Sequence, residues 1–286
     1  MLVKRNLLLF FRDRANVFFS LLAVFIIIGL YVLFLGNSME LDLRDKLGFD
    51  SDKISVVMAS VTLAGMVAVT SVTSCLGALS VSVADKQSAA KDFMTSPVSR
   101  RQITMSYALG SGAIGLIMTI TALVLCVAYI AVNGGSVPGI HDCALLLITA
   151  VLSVLCGNAI VFFIGIFIGS QSAFAAFSTV IGTLIGFLMG IYIPIGSLPD
   201  GVQMVIKCFP MSHAASMFKR ILADGELSAL FAGAPPEALG SFRETFGITF
   251  DYGGFTGGFW SSAAVLAATA LAFYALSVAA MRLRRN

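Results

Sequence analysis

Residues 143–199 read CALLLITAVLSVLCGNAIVFFIGIFIGSQSAFAAFSTVIGTLIGFLMGIYIPIGSLP, 57 positions without one charged side chain. A helix needs about 20 apolar residues to cross the hydrocarbon core of a bilayer, so this run can cross twice. It breaks near its middle at Gly169-Ser170-Gln171-Ser172, small and polar residues that read as a tight turn. Pro194, Pro199 and Asp200 end it. Working outward, residues 15–39, 54–84, 102–141 and 252–281 are equally free of charge, and each is long enough to cross once.

Composition agrees. The 286-residue chain is 58% hydrophobic and only 12% charged, against about 25% charged residues in a typical soluble domain. In hydrocarbon each unsatisfied backbone group costs several kcal/mol, so spanning segments are helices or closed barrels. Barrel strands are about 10 residues long and alternate in polarity. These runs are continuously apolar, so helices are expected. The reading is an all-α integral membrane protein, one domain over 1–286. Its spans fall at about 17–36, 54–82, 103–132, 143–169, 173–193 and 257–281.

Charge outside the runs predicts orientation, because Lys and Arg collect on the cytoplasmic side. The N-terminal segment, the segment between spans 2 and 3 and the C-terminal segment together hold 11 basic and 3 acidic residues, a net of +8. The opposite side carries 7 basic and 12 acidic residues, a net of −5. Both termini are therefore expected in the cytoplasm, with the protein multi-pass in the cell membrane. Residues 1–16 suggest an amphipathic interface helix, with Arg5, Arg12 and Asn16 on one face and Leu7, Leu8, Phe10 and Phe11 giving an apolar body. A frayed basic tail that only fixes topology is the plainer alternative.

Several functions lose ground. A net charge of +3 is too small to point to nucleic acid. The five cysteines are scattered and the two histidines lie far apart, so no metal site is expected. A Cys143–Cys208 pair is conceivable on the outer side, but small apolar packing is the usual role of a free cysteine. No Gly-x-x-x-x-Gly-Lys-[Ser/Thr] loop occurs, and no protease or hydrolase signature. No Asp, Glu, Lys or Arg falls inside a predicted span, whereas proton relays and ion paths need such groups. Uphill transport would need its energy from another subunit. This chain is expected to bind no cofactor.

Three segments together resemble the permease subunits of ABC transporters of the type-2 (ABC-2) export family. The first is Arg5-Asn6-Leu7-Leu8-Leu9-Phe10-Phe11-Arg12-Asp13-Arg14, leading into span 1. The second is Asp92-Phe93-Met94-Thr95-Ser96-Pro97-Val98-Ser99-Arg100-Arg101 after span 2. The third is Gly190-Ile191-Tyr192-Ile193-Pro194-Ile195-Gly196-Ser197-Leu198-Pro199 followed by Phe209-Pro210-Met211-Ser212-His213. The resemblance implies an interfacial helix, a coupling loop over 83–102 and re-entrant outer helices in the 194–256 segment. Lys219, Arg220, Asp224 and Glu226 predict that 219–226 lies at or beyond the interface, and 227–251 reads as an exposed loop.

The same resemblance implies an ABC ATPase partner carrying ATP and Mg, and a second permease chain, identical or related. Coupling to that ATPase would fall on Asp85, Lys86, Lys91, Asp92, Phe93, Pro97, Arg100 and Arg101, with Arg5 and Arg12 on the interface helix. Residues 85–95 would form the short docking helix; an ordinary basic loop is the plainer reading. Spans 2 and 5 would line the route. Ser60, Thr62, Thr70, Ser71 and Ser74 on one, and Thr179, Thr183, Phe187, Met189 and Tyr192 on the other, suit a lipophilic or amphipathic cargo. Ser and Thr serve equally as helix-packing residues in membranes. Export of a drug, antibiotic or antimicrobial peptide is the expected function. Export of a lipid-linked glycan, or a non-ABC enzyme or carrier, is the alternative.

Overall fold

The computed structural model describes residues 2–30, 51–88, 100–232 and 234–283. Its helices are α1 (Leu2–Arg12), α2 (Arg14–Leu30), α3 (Ser51–Ser88), α4 (Arg100–Val132), α5 (Ile140–Phe167) and α6 (Gln171–Leu188), followed by α7 (Asp200–Cys208), α8 (Pro210–Leu230), α9 (Pro236–Thr245) and α10 (Phe259–Leu283). Among the described residues, five stretches are long and apolar enough to cross a membrane: Lys53–Asp85, Gln102–Val132, Ile140–Phe167, Gln171–Leu188 and Phe259–Leu283. The protein is an integral membrane protein. The helix α2 has 17 residues and is apolar from Val17 onward apart from Ser20. The remainder of the expected first span lies outside the described residues.

Local chemistry sets the breaks. Asp13 separates α1 from α2, and its Oδ1 accepts from the Ala15 N–H at 3.1 Å, filling an orphan donor of the second helix. Asn16 therefore belongs to α2 rather than to the interface helix. The turn at 169–172 holds Ser170, whose hydroxyl caps α6 through the Ala173 N–H at 3.2 Å. The fifth span stops at Leu188, earlier than the sequence reading, because Gly190 turns left-handed at φ 61°. Its N–H bonds the Phe187 carbonyl and the Ile191 N–H bonds the Gly186 carbonyl, a Schellman end.

The second span is the hub. Of its apolar stretch 89% is buried, with α2, α4, α5, α6 and α8 packed around it. Lipid tails are as apolar as leucine, so close packing and interhelical hydrogen bonds hold such bundles together. Ser71 meets Ser153 at 2.6 Å, joining α3 to α5. Asn158 joins three spans: Ser111 donates to its Oδ1 at 2.7 Å, while its Nδ2 donates to the Ala108 carbonyl and the Tyr274 hydroxyl, both at 2.9 Å. Replacing Asn158 with Ala removes three interhelical hydrogen bonds and should destabilise the protein by about 1–2 kcal/mol. Thermal unfolding in detergent reads this; a wild-type midpoint would contradict it.

At the bundle end opposite α1, the segment after α6 folds back as a cap. The helix α8 runs beside α3. Ile54, Val57, Met58 and Val61 of α3 share a core with Leu227, Leu230, Phe231, Phe242, Phe246 and Ile248. Residues 227–251 are therefore no exposed loop. Nor do residues 219–226 all lie at a wet interface, because Lys219, Leu222 and Ala223 are buried. The amphipathic α9 supplies aromatic rings that cover this end of α3. Cys143 and Cys208 are exposed free thiols.

Candidate functional site

At the end of the bundle that carries α1, polar groups from three helices converge. The helix α1 lies against α4 and touches α3. Phe10 fixes it there, fully buried among Ala78, Ile114 and Met118. One turn earlier, Asn6 is buried and its Nδ2 donates to the Ser106 carbonyl at 3.2 Å. Arg5 then reaches Asp85, near the end of α3, as a fork: Nη1 to Oδ2 at 2.9 Å and Nη2 to Oδ1 at 3.3 Å. The Tyr107 hydroxyl of α4 donates to the same Oδ2 at 2.6 Å. The Asp85 side chain is only 13% exposed, that of Arg5 38%. One carboxylate thus gathers three donors from two other helices.

These bonds reinforce one another electrostatically. Hydrogen bonding to Asp85 raises the Arg5 guanidinium above its ordinary value, against the opposing effect of burial. Charge-assisted and bidentate, the Arg–carboxylate contact also fixes orientation, which a lysine could not do. The result is a clamp that makes α1 and the adjoining ends of α3 and α4 one body. Beside it, a cavity of about 120 Å³ opens between α3, α4 and α5, lined by Leu79, Ser82, Tyr107 and Phe162 among others.

The structure distributes the remaining candidate residues differently from the sequence reading. Asp85 stands in the continuous helix α3, which runs to Ser88, rather than beginning a separate docking helix. An unbroken run without Pro or Gly from Ala78 to Ser88 gives the helix no reason to stop at the membrane. Lys86 is in its last turn, and Arg100 and Arg101 open α4. Lys91, Asp92, Phe93 and Pro97 lie outside the described residues. Arg12 is exposed at the end of α1.

The ten route candidates separate into an enclosed group and an outward-facing group. Ser60, Thr62, Thr70, Ser71 and Ser74 are all buried within the bundle. Ser60 and Thr70 bond back to the Val56 and Met66 carbonyls, both at 2.9 Å. The Ser74 hydroxyl is buried without a partner among the described residues. On α6, Thr179, Thr183 and Phe187 point outward with Val180 and Leu184. Met189 is fully buried, and Tyr192 is half-buried with its ring edge against Phe187, centroids 5.1 Å apart.

Sequence reasoning missed Asn6, Tyr107, Asn158, His213 and Lys219. Tyr107 and Asn158 show no pattern until the helices are packed. A signal did exist for α8: Ser212, Ser216 and Lys219 recur at spacings of four and three, one face of a helix. His213 bridges Ser262 of α10 and the Lys207 carbonyl, both at 3.2 Å, and burial pushes its imidazole below the ordinary value. Lys219 is wholly buried. Burial pushes its ammonium down to about 7, while carbonyl acceptors around it favour keeping the proton.

A bundle of long apolar helices, a clamped amphipathic helix at one end and a folded cap at the other define a polytopic helical membrane protein. The family model of the ABC-2 type transporter matches residues 1–222. The chain belongs to that family, whose permeases are membrane components of transport rather than enzymes and work with an ABC ATPase partner. No curated protein matches the chain.

Proposed function

We propose that this chain is the permease of an ATP-driven exporter, assembled from two permease chains, identical or related, and two separate ATPase chains. It resides in the cell membrane with both termini in the cytoplasm. The Arg5–Asp85–Tyr107 clamp supports this reading most strongly. It lies at the end that the positive-inside distribution assigns to the cytoplasm, and its Asp85 belongs to the 83–102 segment. An ATPase pushing on that segment would move α1, α3 and α4 together, and α3 touches most of the other spans. ATP and Mg belong to the partner.

The cargo is lipophilic or amphipathic, a drug, antibiotic or antimicrobial peptide, taken from the cytoplasm or the inner leaflet. The outward face of α6 supports this class. Thr179, Val180, Thr183, Leu184 and Phe187 make a surface of hydroxyls and apolar groups without charge. Set against a second copy, that face would line a seam suited to uncharged surfaces. The enclosed hydroxyls of α3 act in packing. Co-expression with the ATPase tests the assignment: the two should co-purify, and the permease should change the rate of ATP hydrolysis. An ATPase that neither binds the permease nor responds to it would overturn the reading.

A further inference from the structure

Helix ends leave carbonyls without intrahelical partners, and buried carbonyls must find donors elsewhere. At the end of α6, the Schellman bonds serve Gly186 and Phe187, and Ser212 of α8 donates to the Leu188 carbonyl at 3.0 Å. Met189 and Gly190 remain. The end of α9 repeats the geometry. Gly247 is left-handed at φ 65°, its N–H bonds the Glu244 carbonyl, and the Ile248 N–H bonds the Arg243 carbonyl. Ser216 donates to the Ile248 carbonyl at 2.6 Å. Phe246 is also buried there. The Met189, Gly190 and Phe246 carbonyls converge on one atom, Nζ of Lys219, at 3.0, 3.3 and 2.9 Å.

An ammonium has three donors and no acceptor, so the match is complete. Among the described residues no carboxylate pairs with Lys219. The negative ends of two helix dipoles supply the compensating charge. The lysine stem passes Gly65 of α3, where a Cβ would meet Ile191 Cγ1 at 2.9 Å and Lys219 Cε at 3.4 Å.

We propose that the carbonyl oxygens of Met189, Gly190 and Phe246 form a site for a primary ammonium, and that Lys219 is its tethered occupant, fastening the end of α6 to the cap. The site does not depend on the export reading. One consequence does: parting α6 from α8 and α9 to open the capped side would strip the ammonium of three acceptors together.

The test uses the full-length protein and its thermal midpoint, which requires no transport. Lys219→Ala empties the site and should lower the midpoint by about 5 °C or more. Methylammonium chloride, which offers the same three donors, should recover most of that loss by binding the native state. Tetramethylammonium chloride at equal ionic strength, with no donor, should not. Lys219→Met keeps the stem and fills the space, so it should also lower the midpoint, and methylammonium should not restore it. An Ala variant at the wild-type midpoint, or one that responds equally to the two salts, overturns the proposal. If the Ala variant does not fold, the Met variant decides. A midpoint at or above wild type, as when apolar residues replace a buried charge without loss, overturns it; a lowered one supports it.

Discussion

Replacing Asp85 with Ala should lower cargo exported per ATP hydrolysed by about tenfold, the factor that corresponds to 1.4 kcal/mol, while membrane insertion and ATPase binding persist. The carboxylate accepts two bonds from Arg5 and one from Tyr107. Hydrogen bonds to a charged group contribute about 1.5–3 kcal/mol each, and stranding partly buried donors adds a desolvation cost. Arg5→Ala should do less harm. It leaves Asp85 with the Tyr107 hydroxyl, and the half-exposed position of Arg5 already gives water access to the carboxylate. The paired exchange Arg5→Asp with Asp85→Arg should restore part of the coupling. That outcome separates a clamp from a site whose loss merely unfolds the chain. Unchanged cargo-to-ATP stoichiometry in correctly inserted Asp85→Ala would refute the clamp.

Replacing Asp92 and Phe93 together with Ala should have a comparable or larger effect on the same ratio. Their position between α3 and α4 and their pairing of a charge with an aromatic ring suit a docking contact on the ATPase. Interface anchors of this kind are commonly worth 2 kcal/mol or more when truncated, roughly a thirtyfold loss. ATP hydrolysis should continue without export. Normal export in the double variant would remove these residues from the coupling contact.

Five of the spans were legible among the described residues because charge is so costly in hydrocarbon that its absence alone marks them. The turn at Ser170 was also readable, since it uses residues with strong local preferences, whereas the end of α6 at Gly190 was placed too late, at the following prolines. Which face of each span turns inward was not. A helix apolar all round carries no periodicity to say so, and α3 is such a helix. Its Ser and Thr residues therefore read as a route although they are enclosed. Likewise, Lys219 read as an interfacial charge because its partners are backbone carbonyls, which every sequence possesses and none advertises. Asp85 was picked out, but its partners 80 residues before and 22 residues after became visible only once the helices were placed. The helix α9 was missed because ten residues of mixed charge look like a loop until Phe242 and Phe246 meet the end of α3.

Export driven by a separate ATPase is the central proposal. Reconstituting the permease with that ATPase in liposomes, and following a labelled uncharged amphiphile after adding ATP, measures it directly. Vectorial movement away from the ATPase side is expected, and it should require ATP hydrolysis and both chains. Movement that proceeds without ATP, or none for any of a panel of amphiphiles while the two chains remain assembled and hydrolysing, would contradict it.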